Sequence, residues 1–121
     1  MKKSILLLLF ALLSFKSQSQ SCEELIDFVK SESYGTTYSS PLSDAIAKVT
    51  FYTVRVDYNT HYFAIVCFKE QYSYGCSEYI YQVGSRTKFN YSMDYLDSAG
   101  KAFWNYIQPY HVNLDCSPSF E

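Results

Sequence analysis

Apolar and polar residues alternate over the middle of the chain, which is the pattern of β-strands. Residues 45–56 are rich in β-branched and aromatic side chains, and a turn over residues 58–60 follows them. Residues 61–69 are apolar at both alternating sets of positions, so we expect this strand to lie centrally, covered on both faces. Residues 77–83 alternate again, and residues 86–91 are a further strand candidate. The pattern predicts an antiparallel meander of three to four strands.

Helical spacing precedes the strands. Ser21 and Glu24 have the form of a capping box, in which each side chain bonds the other residue's backbone N–H. A helix over residues 22–31 would then carry three apolar side chains on one face. These are Leu25, Phe28 and Val29.

A second helix is predicted after the strands. Ser92 is a suitable N-cap with Asp94 in the first turn, and Pro109 ends the pattern. Gly100 lies inside this helical pattern, where glycine costs about 1 kcal/mol relative to alanine, and it either breaks the helix or lets a bulky neighbour approach. We therefore expect either an unusual φ at Gly100 or a strand packed against its bare backbone. The apolar positions repeat at three- and four-residue intervals and are Leu96, Ala99, Phe103 and Ile107.

The order helix, strands, helix predicts an α+β domain. Residues 34–41 and 71–75 have the composition of loops. The tail after Tyr110 is expected to be irregular and held in place by a cysteine. We divide the chain into a signal peptide (residues 1–19), a helix and loop (residues 20–42), and a main domain with its tail (residues 43–121).

The start of the chain has the three parts of a secretory signal peptide. A basic head is followed by an apolar run over residues 4–13 and by a small, polar exit. About ten apolar residues are too few to span a bilayer, which needs about twenty. Cleavage is expected near Ser19 or Gln20, and the mature protein would then be exported, periplasmic or secreted. Lipidation of Cys22 is an alternative, although residues 19–21 lack the aliphatic residue that such a site uses.

All four cysteines follow the signal segment, and an even number in a short exported chain indicates two disulfides. One predicted pair, Cys67–Cys76, closes a short loop between neighbouring strands. The other pair, Cys22–Cys116, ties the first helix to the tail, and long loops gain most from such a cross-link. The alternatives are free thiols or a zinc site with the two histidines. The sequence lacks the Cys-x-x-Cys or His-x-x-x-His spacing of zinc sites, so we expect no metal and no cofactor.

The charge balance argues against nucleic acid as a partner. Once Lys2, Lys3 and Lys16 leave with the signal, seven basic residues face twelve acidic ones. An acidic surface repels phosphate, and nucleic-acid binding rests on basic patches. The mature length of about one hundred residues fits one small domain.

Tyr79-Ile80-Tyr81 is followed later in the chain by Ser98-Ala99-Gly100 and by Phe103. In this order the two segments resemble the KTSC domain. This short domain is named after the C-terminus of certain lysyl-tRNA synthetases, and it also occurs alone in small bacterial proteins. The family shows Tyr-x-Tyr and later Ser-x-Gly-x-x-Phe, which correspond here to Tyr79, Tyr81, Ser98, Gly100 and Phe103. Residues 43–46 and 62–68 also resemble its opening part, so the resemblance covers residues 43–107. Trp104 departs from the family, which usually has asparagine at that position.

The resemblance implies a strand meander followed by a helix, and a possible role in RNA binding. RNA affinity needs positive charge along a groove together with stacking aromatics. Because the mature chain is acidic and exported, we expect no RNA binding. The contrary arrangement would gather Arg86, Lys88 and Lys101 beside Tyr79 and Tyr81.

The thirteen tyrosines are the strongest compositional feature. Tyrosine joins a large apolar face to one hydroxyl, which suits contact surfaces. Tyr79 and Tyr81 are expected to pack in the sheet, since Val83 extends their face. Five others are predicted in loops or the tail and are the candidate binding residues: Tyr34, Tyr38, Tyr72, Tyr74 and Tyr110. We expect a non-catalytic binding or structural module with an extracytoplasmic protein or glycan as partner.

No catalytic set is predicted. His61 and Cys67 share a strand face but lie about 20 Å apart at the rise of a strand. Asp94 and Asp97 are expected to be solvated charges near the start of a helix. An RNA-binding domain, implied by the resemblance, and a small hydrolase or an inhibitor of one are the alternative functions.

Overall fold

The computed structural model describes residues 18–120. Residues 1–17 of the predicted signal segment therefore lie outside the described residues. The expected cleavage point, near Ser19 or Gln20, falls within the first turn of the first helix. Within the described part the elements follow in this order: α1 (Gln18–Glu32), β1 (Thr36–Ser39), β2 (Ile46–Val56), β3 (Asn59–Lys69), β4 (Cys76–Val83), α2 (Thr87–Asp94), α3 (Ala99–Tyr106) and a 3-10 helix (Gln108–Tyr110).

The strands form one antiparallel sheet in the order β1-β2-β3-β4. Each strand pairs with its neighbour in the chain, so the sheet is the predicted meander and the domain is α+β. The central position of β3 is confirmed, because residues 63–67 are buried in succession on both faces. Each fully buried large apolar side chain contributes about 1.5–3 kcal/mol to folding.

Helices cover both faces of the sheet. On one face Ile26 and Val29 of α1 pack against Val54, Phe63, Ile65 and Ile80. The opposite face packs against α2 and α3, through Tyr91, Ala102, Phe103 and Ile107 among others. Even-numbered residues of β3 face α2 and α3, and odd-numbered ones face α1, as the two-residue period of a strand requires.

The prediction of a loop over residues 34–41 was wrong in its centre, because β1 occupies residues 36–39. Its sequence, Thr-Thr-Tyr-Ser, is largely exposed and pairs only with β2 at the edge of the sheet. The Thr37 and Thr50 hydroxyls lie 2.9 Å apart across the pair, and the Tyr38 ring packs on Phe51 at 5.9 Å between centroids. Backbone pairing and one aromatic anchor thus hold a strand that has no apolar alternation.

The strand expected over residues 86–91 is instead the first part of α2. Its single fully buried aromatic, Tyr91, packs against Phe51 and Tyr38.

The predicted cap at Ser92 was also wrong. Ser92 lies inside α2, which ends at Asp94, so Asp94 is not in a first helical turn. The chain reverses there, and Ser98 caps α3 by accepting a hydrogen bond from the Lys101 N–H at 3.2 Å. Leu96 lies in the connection and is 83% exposed. The other predicted core positions of this helix, Ala99, Phe103 and Ile107, are buried as expected.

Helix α1 differs from its prediction in its start and in its face. Ser21 lies inside the helix and cannot be its N-cap. Phe28 is exposed and Ile26 is buried in its place, because the contact with the sheet runs through Ile26 and Val29.

Both predicted disulfides are present. Cys22 and Cys116 lie 5.8 Å apart between Cα atoms and Cys67 and Cys76 lie 5.3 Å apart, which leaves no free thiol. This pairing is typical of oxidising extracytoplasmic compartments. Among residues 18–120, no helix has the length and apolar character needed to cross a bilayer.

The expected structural role of Gly100 was wrong. None of the described glycines has a positive φ, and a Cβ at Gly100 would meet only the Ser98 hydroxyl, at 4.0 Å. Close approach occurs at Gly35 instead, where a Cβ would lie 2.4 Å from Thr50 Cγ2 and 2.7 Å from the Tyr52 ring.

Candidate binding surfaces

The five candidate tyrosines fall into two groups. Tyr34, Tyr72 and Tyr74 are fully exposed, whereas Tyr38 and Tyr110 are half-buried and pack against the core. Tyr38 touches the Tyr95 ring at 5.0 Å between centroids. Tyr38 and Tyr110 therefore contribute mainly to packing.

The three exposed tyrosines do not form one surface. Tyr34 lies just before β1, the edge strand whose first residue, Thr36, pairs with Phe51. Tyr34 is therefore at the level of Phe51 along the strands. Tyr72 and Tyr74 lie beyond the end of β3, at the level of Ile46. Five residues of strand separate the two levels, which is more than about 15 Å.

Tyr72 and Tyr74 belong to the connection between β3 and β4, residues 70–75, which we call the tyrosine loop. Tyr72 is 92% exposed and Tyr74 111%. The Cys67–Cys76 disulfide joins the two strands at the base of the loop. The Glu70 N–H donates to the Gly75 carbonyl at 3.1 Å, which closes the loop itself.

The Glu70 carboxylate organises the interior of the tyrosine loop. It accepts hydrogen bonds from the Ser73 hydroxyl at 2.6 Å and from the Ser77 hydroxyl at 3.2 Å. The Gly75 N–H donates to the Ser73 hydroxyl at 3.1 Å. The loop therefore bonds its own polar groups and directs both tyrosine rings into solvent.

Sequence analysis missed two residues with a bearing on these surfaces. Tyr58 is 98% exposed in the β2–β3 turn. Glu70 holds the tyrosine loop together, and its only signal in the sequence is a serine three residues later.

The residues that resemble the KTSC motifs lie near one another, and most of them pack in the core. Tyr81 and Phe103 are buried and their rings meet edge to face at 5.6 Å. Tyr79 packs beside them through Phe68. Ser98 and Gly100 lie at the start of α3, on the wall of a pocket.

Two of the basic residues that the contrary arrangement would gather beside Tyr79 and Tyr81 contact other side chains. Tyr81 is buried and offers no free face. The Lys88 ammonium donates to the Thr36 hydroxyl at 3.0 Å, and the Arg86 guanidinium lies 5.7 Å from the centre of the Phe89 ring.

Three of the ionisable groups singled out in the sequence, His61, His111 and Asp94, have structural partners. His61 Nδ1 lies 3.2 Å from the Gln82 amide nitrogen, and His111 Nδ1 lies 2.9 Å from the Gln108 carbonyl oxygen. The Tyr106 hydroxyl donates to the Asp94 carboxylate, and this bond raises the pKa of Tyr106. In the part of the chain that the structure describes, no three His, Cys, Asp or Glu side chains converge as a metal site would require.

A cleft of about 720 Å³ lies between α1, β4 and the tail, and both disulfides border it. The charged side chains that line the cleft are all acidic. Beside the cleft, the Lys30 ammonium forms an ion pair with the Glu78 carboxylate at 2.7 Å. The acidic lining consists of Glu23, Asp27, Glu78 and Asp115.

The chain matches no protein-family model, no curated protein sequence and no solved structure at a significant level.

Proposed function

We propose that this chain is an exported, non-catalytic binding module that contacts its partner through the tyrosine loop. The observation that carries the proposal is the pair of fully exposed tyrosines on a loop closed by a disulfide. Two large aromatic rings held in water at one place are unusual unless they are covered in a complex, because burial of their apolar area is favourable.

The internal bonding of the tyrosine loop supports a binding role. A loop that is already ordered loses little conformational entropy when it binds, so more of the contact energy contributes to affinity. Tyrosine adds contact area with only two side-chain torsions to fix, and its hydroxyl can bond a polar partner. The Glu70 carboxylate and the Cys67–Cys76 disulfide order the loop in the free protein.

The partner that suits this surface is an extracytoplasmic protein. Two exposed tyrosines in one closed hairpin loop resemble the aromatic anchors of protein–protein contacts. RNA binding, the function that the KTSC resemblance implies, has less support, since Tyr81 is buried and Lys88 and Arg86 are engaged by Thr36 and Phe89.

The test measures binding of the oxidised mature protein to separately immobilised envelope proteins and envelope glycans of the producing cell. We expect saturable binding to the protein fraction, and at least tenfold weaker binding by the double variant Tyr72→Ser/Tyr74→Ser. Loss of two aromatic anchors of about 1–2 kcal/mol each accounts for a change of this size.

The matched control is Tyr34→Ser/Tyr58→Ser, which removes two equally exposed tyrosines from other places. It should bind like the parent. Equal binding by the loop variant and the parent, or binding only to the glycan fraction, would refute the proposal.

A further inference from the structure

Helix α2 has buried side chains on one face and exposed apolar side chains on the opposite face. Tyr91 packs against the sheet, and Thr87, one turn earlier, is also buried. Phe89 and Met93, again one turn apart, lie on the other side, since two residues turn an α-helix through about 200°. Phe89 is 57% exposed and Met93 67%. Apolar side chains on both sides of a helix are typical of one that is covered on both sides.

Two leucines extend this exposed face past the end of α2. Leu96 follows Met93 by three residues and is 83% exposed, so it continues the spacing of one helix face. Leu42, in the β1–β2 connection, is 97% exposed. Leu42 and Leu96 line one pocket and therefore lie near each other. We call Phe89, Met93, Leu96 and Leu42 the α2 patch.

The α2 patch is large for a small domain. At the exposures of its four side chains it presents on the order of 500 Å² of apolar surface. A continuous apolar patch of several hundred Å² usually marks an interaction site. Two such patches in contact would together remove about 1,000 Å² from water, which is the lower end for a specific interface between proteins.

Opposite charges lie at the two ends of the α2 patch. At one end the Arg86 guanidinium lies 5.7 Å from the centre of the Phe89 ring. At the other end Asp97 directly follows Leu96 and is exposed. Asp44 adds a second exposed carboxylate at that end, because it lines the same pocket as Leu96. The patch is therefore apolar in the middle, basic at one end and acidic at the other.

From this arrangement we infer that the α2 patch is the interface of a symmetric homodimer. A two-fold axis near Met93 lays the two α2 helices side by side and antiparallel, so that Phe89 of one copy covers Leu96 of the other. Arg86 of each copy then faces Asp97 of the other, because a two-fold interface repeats every contact. The inference goes beyond the proposed function, since it concerns another surface and a second copy of this chain.

Other occupants fit these charges less well. An anionic membrane would attract Arg86 but repel Asp97 and Asp44 at the other end of the patch. A partner whose surface carries a single sign of charge would likewise oppose one of the two ends. A second copy meets each charge with its opposite, and such pairing fixes the orientation of an interface.

Sedimentation equilibrium of the oxidised mature protein, from about 1 μM to about 1 mM, tests the inference. We expect a monomer–dimer equilibrium with a Kd of about 100 μM or tighter, as suits an interface near the lower size limit. Phe89→Ser/Met93→Ser should weaken the dimer at least tenfold. Both side chains are exposed, so this variant should keep the circular dichroism spectrum of the parent.

An exchange of charges tests the antiparallel geometry. Arg86→Asp alone and Asp97→Arg alone each place like charges opposite one another, and each should weaken the dimer about fivefold. The double variant Arg86→Asp/Asp97→Arg should regain the affinity of the parent, because both pairs are then only reversed. General damage to the fold cannot produce this recovery.

Val56→Ser/Val112→Ser removes two exposed apolar side chains from other places and should dimerise like the parent. So should Tyr72→Ser/Tyr74→Ser, which separates this result from the test of the tyrosine loop. Any of four results would overturn the inference: a monomer at about 1 mM, undiminished association of Phe89→Ser/Met93→Ser, no recovery in the double charge variant, or loss of the dimer in the tyrosine-loop variant. Binding of a monomeric parent to phosphatidylglycerol vesicles through Phe89 and Met93 would assign the patch to a membrane instead.

Discussion

At the scale of the residue, one side-chain type serves two opposite purposes. Tyr81 and Tyr91 are buried with hydroxyls that have no partner among the described residues. Tyr34, Tyr58, Tyr72 and Tyr74 stand free in solvent. A buried phenol resists ionisation because its charged form loses hydration, so the buried tyrosines couple stability to alkaline pH.

Tyr81→Phe should flatten the fall of stability at high pH. Burial, and then the neighbouring Tyr79, raise the pKa of Tyr81. Above about pH 10 the unfolded chain releases this proton and the folded protein keeps it. The free energy of unfolding then falls as pH rises, by up to about 1.4 kcal/mol per pH unit for each such tyrosine.

Urea denaturation between about pH 8 and pH 11.5 measures this slope. The variant should be at least as stable as the parent near pH 8, because it removes a buried hydroxyl that has no partner within residues 18–120, and it should lose less stability above pH 10. Tyr34→Phe, at an exposed position, is the control and should keep the slope of the parent. Identical slopes for Tyr81→Phe and the parent would contradict the assignment.

At the scale of the element, the two hairpins of the central strands are closed in different ways. The β3–β4 connection has a disulfide and the Glu70 bonds. The β2–β3 connection is two residues long, since Val56 pairs with Asn59, and both Asp57 and Tyr58 have positive φ, 52° and 68°. This geometry is that of a type I′ turn, which favours asparagine and glycine.

Tyr58→Gly should stabilise the protein by about 0.5–1 kcal/mol. A bulky residue at positive φ is strained, and glycine is not. The Tyr58 side chain is 98% exposed, so its removal loses little packing. Thermal unfolding followed by circular dichroism should show a rise of several degrees, whereas Tyr34→Gly should show none. A lower melting temperature for Tyr58→Gly would mean that the ring makes contacts that stabilise the turn.

At the scale of the whole molecule, a disulfide joins α1 to the tail, and both segments pack on one face of the sheet. Ile26, Val29 and Leu114 pack on one face of the sheet, and the Cys22–Cys116 disulfide links two points 94 residues apart. The second disulfide spans nine residues. The two bonds therefore differ mainly in how strongly they restrict the unfolded chain.

Removing the long-range disulfide should cost more than removing the short one. The chain-entropy relation gives about 4.7 kcal/mol for a loop near 94 residues and about 2.6 kcal/mol for a loop near nine. Urea denaturation of Cys22→Ala/Cys116→Ala and of Cys67→Ala/Cys76→Ala should reveal a difference of about 2 kcal/mol. Equal losses would mean that native packing, and not the loop length, sets the contribution.

The local sequence pattern was sufficient to predict the central strands, the α+β class and both disulfides. The pattern of apolar and polar side chains along β2, β3 and β4 indicates which faces of each strand are buried, because apolar side chains have to be covered. Cys67 and Cys76 flank a short connection between predicted strands, so their pairing followed from proximity in the chain. The exposure of Tyr72 and Tyr74 followed from their place in a polar loop.

Other features were decided only by the tertiary structure. Strand β1 is polar and is held by pairing with β2 and by the Tyr38 ring, neither of which leaves a pattern in the chain. Residues 86–91 have a composition that fits a strand or a helix. In the folded protein most of them form a helix, from which Tyr91 packs on Phe51. One pocket joins residues 39–45 to residues 95–100, which lie at least fifty residues apart in sequence. Sequence periodicity reports the burial of single elements, whereas a site between distant segments exists only once those elements have packed.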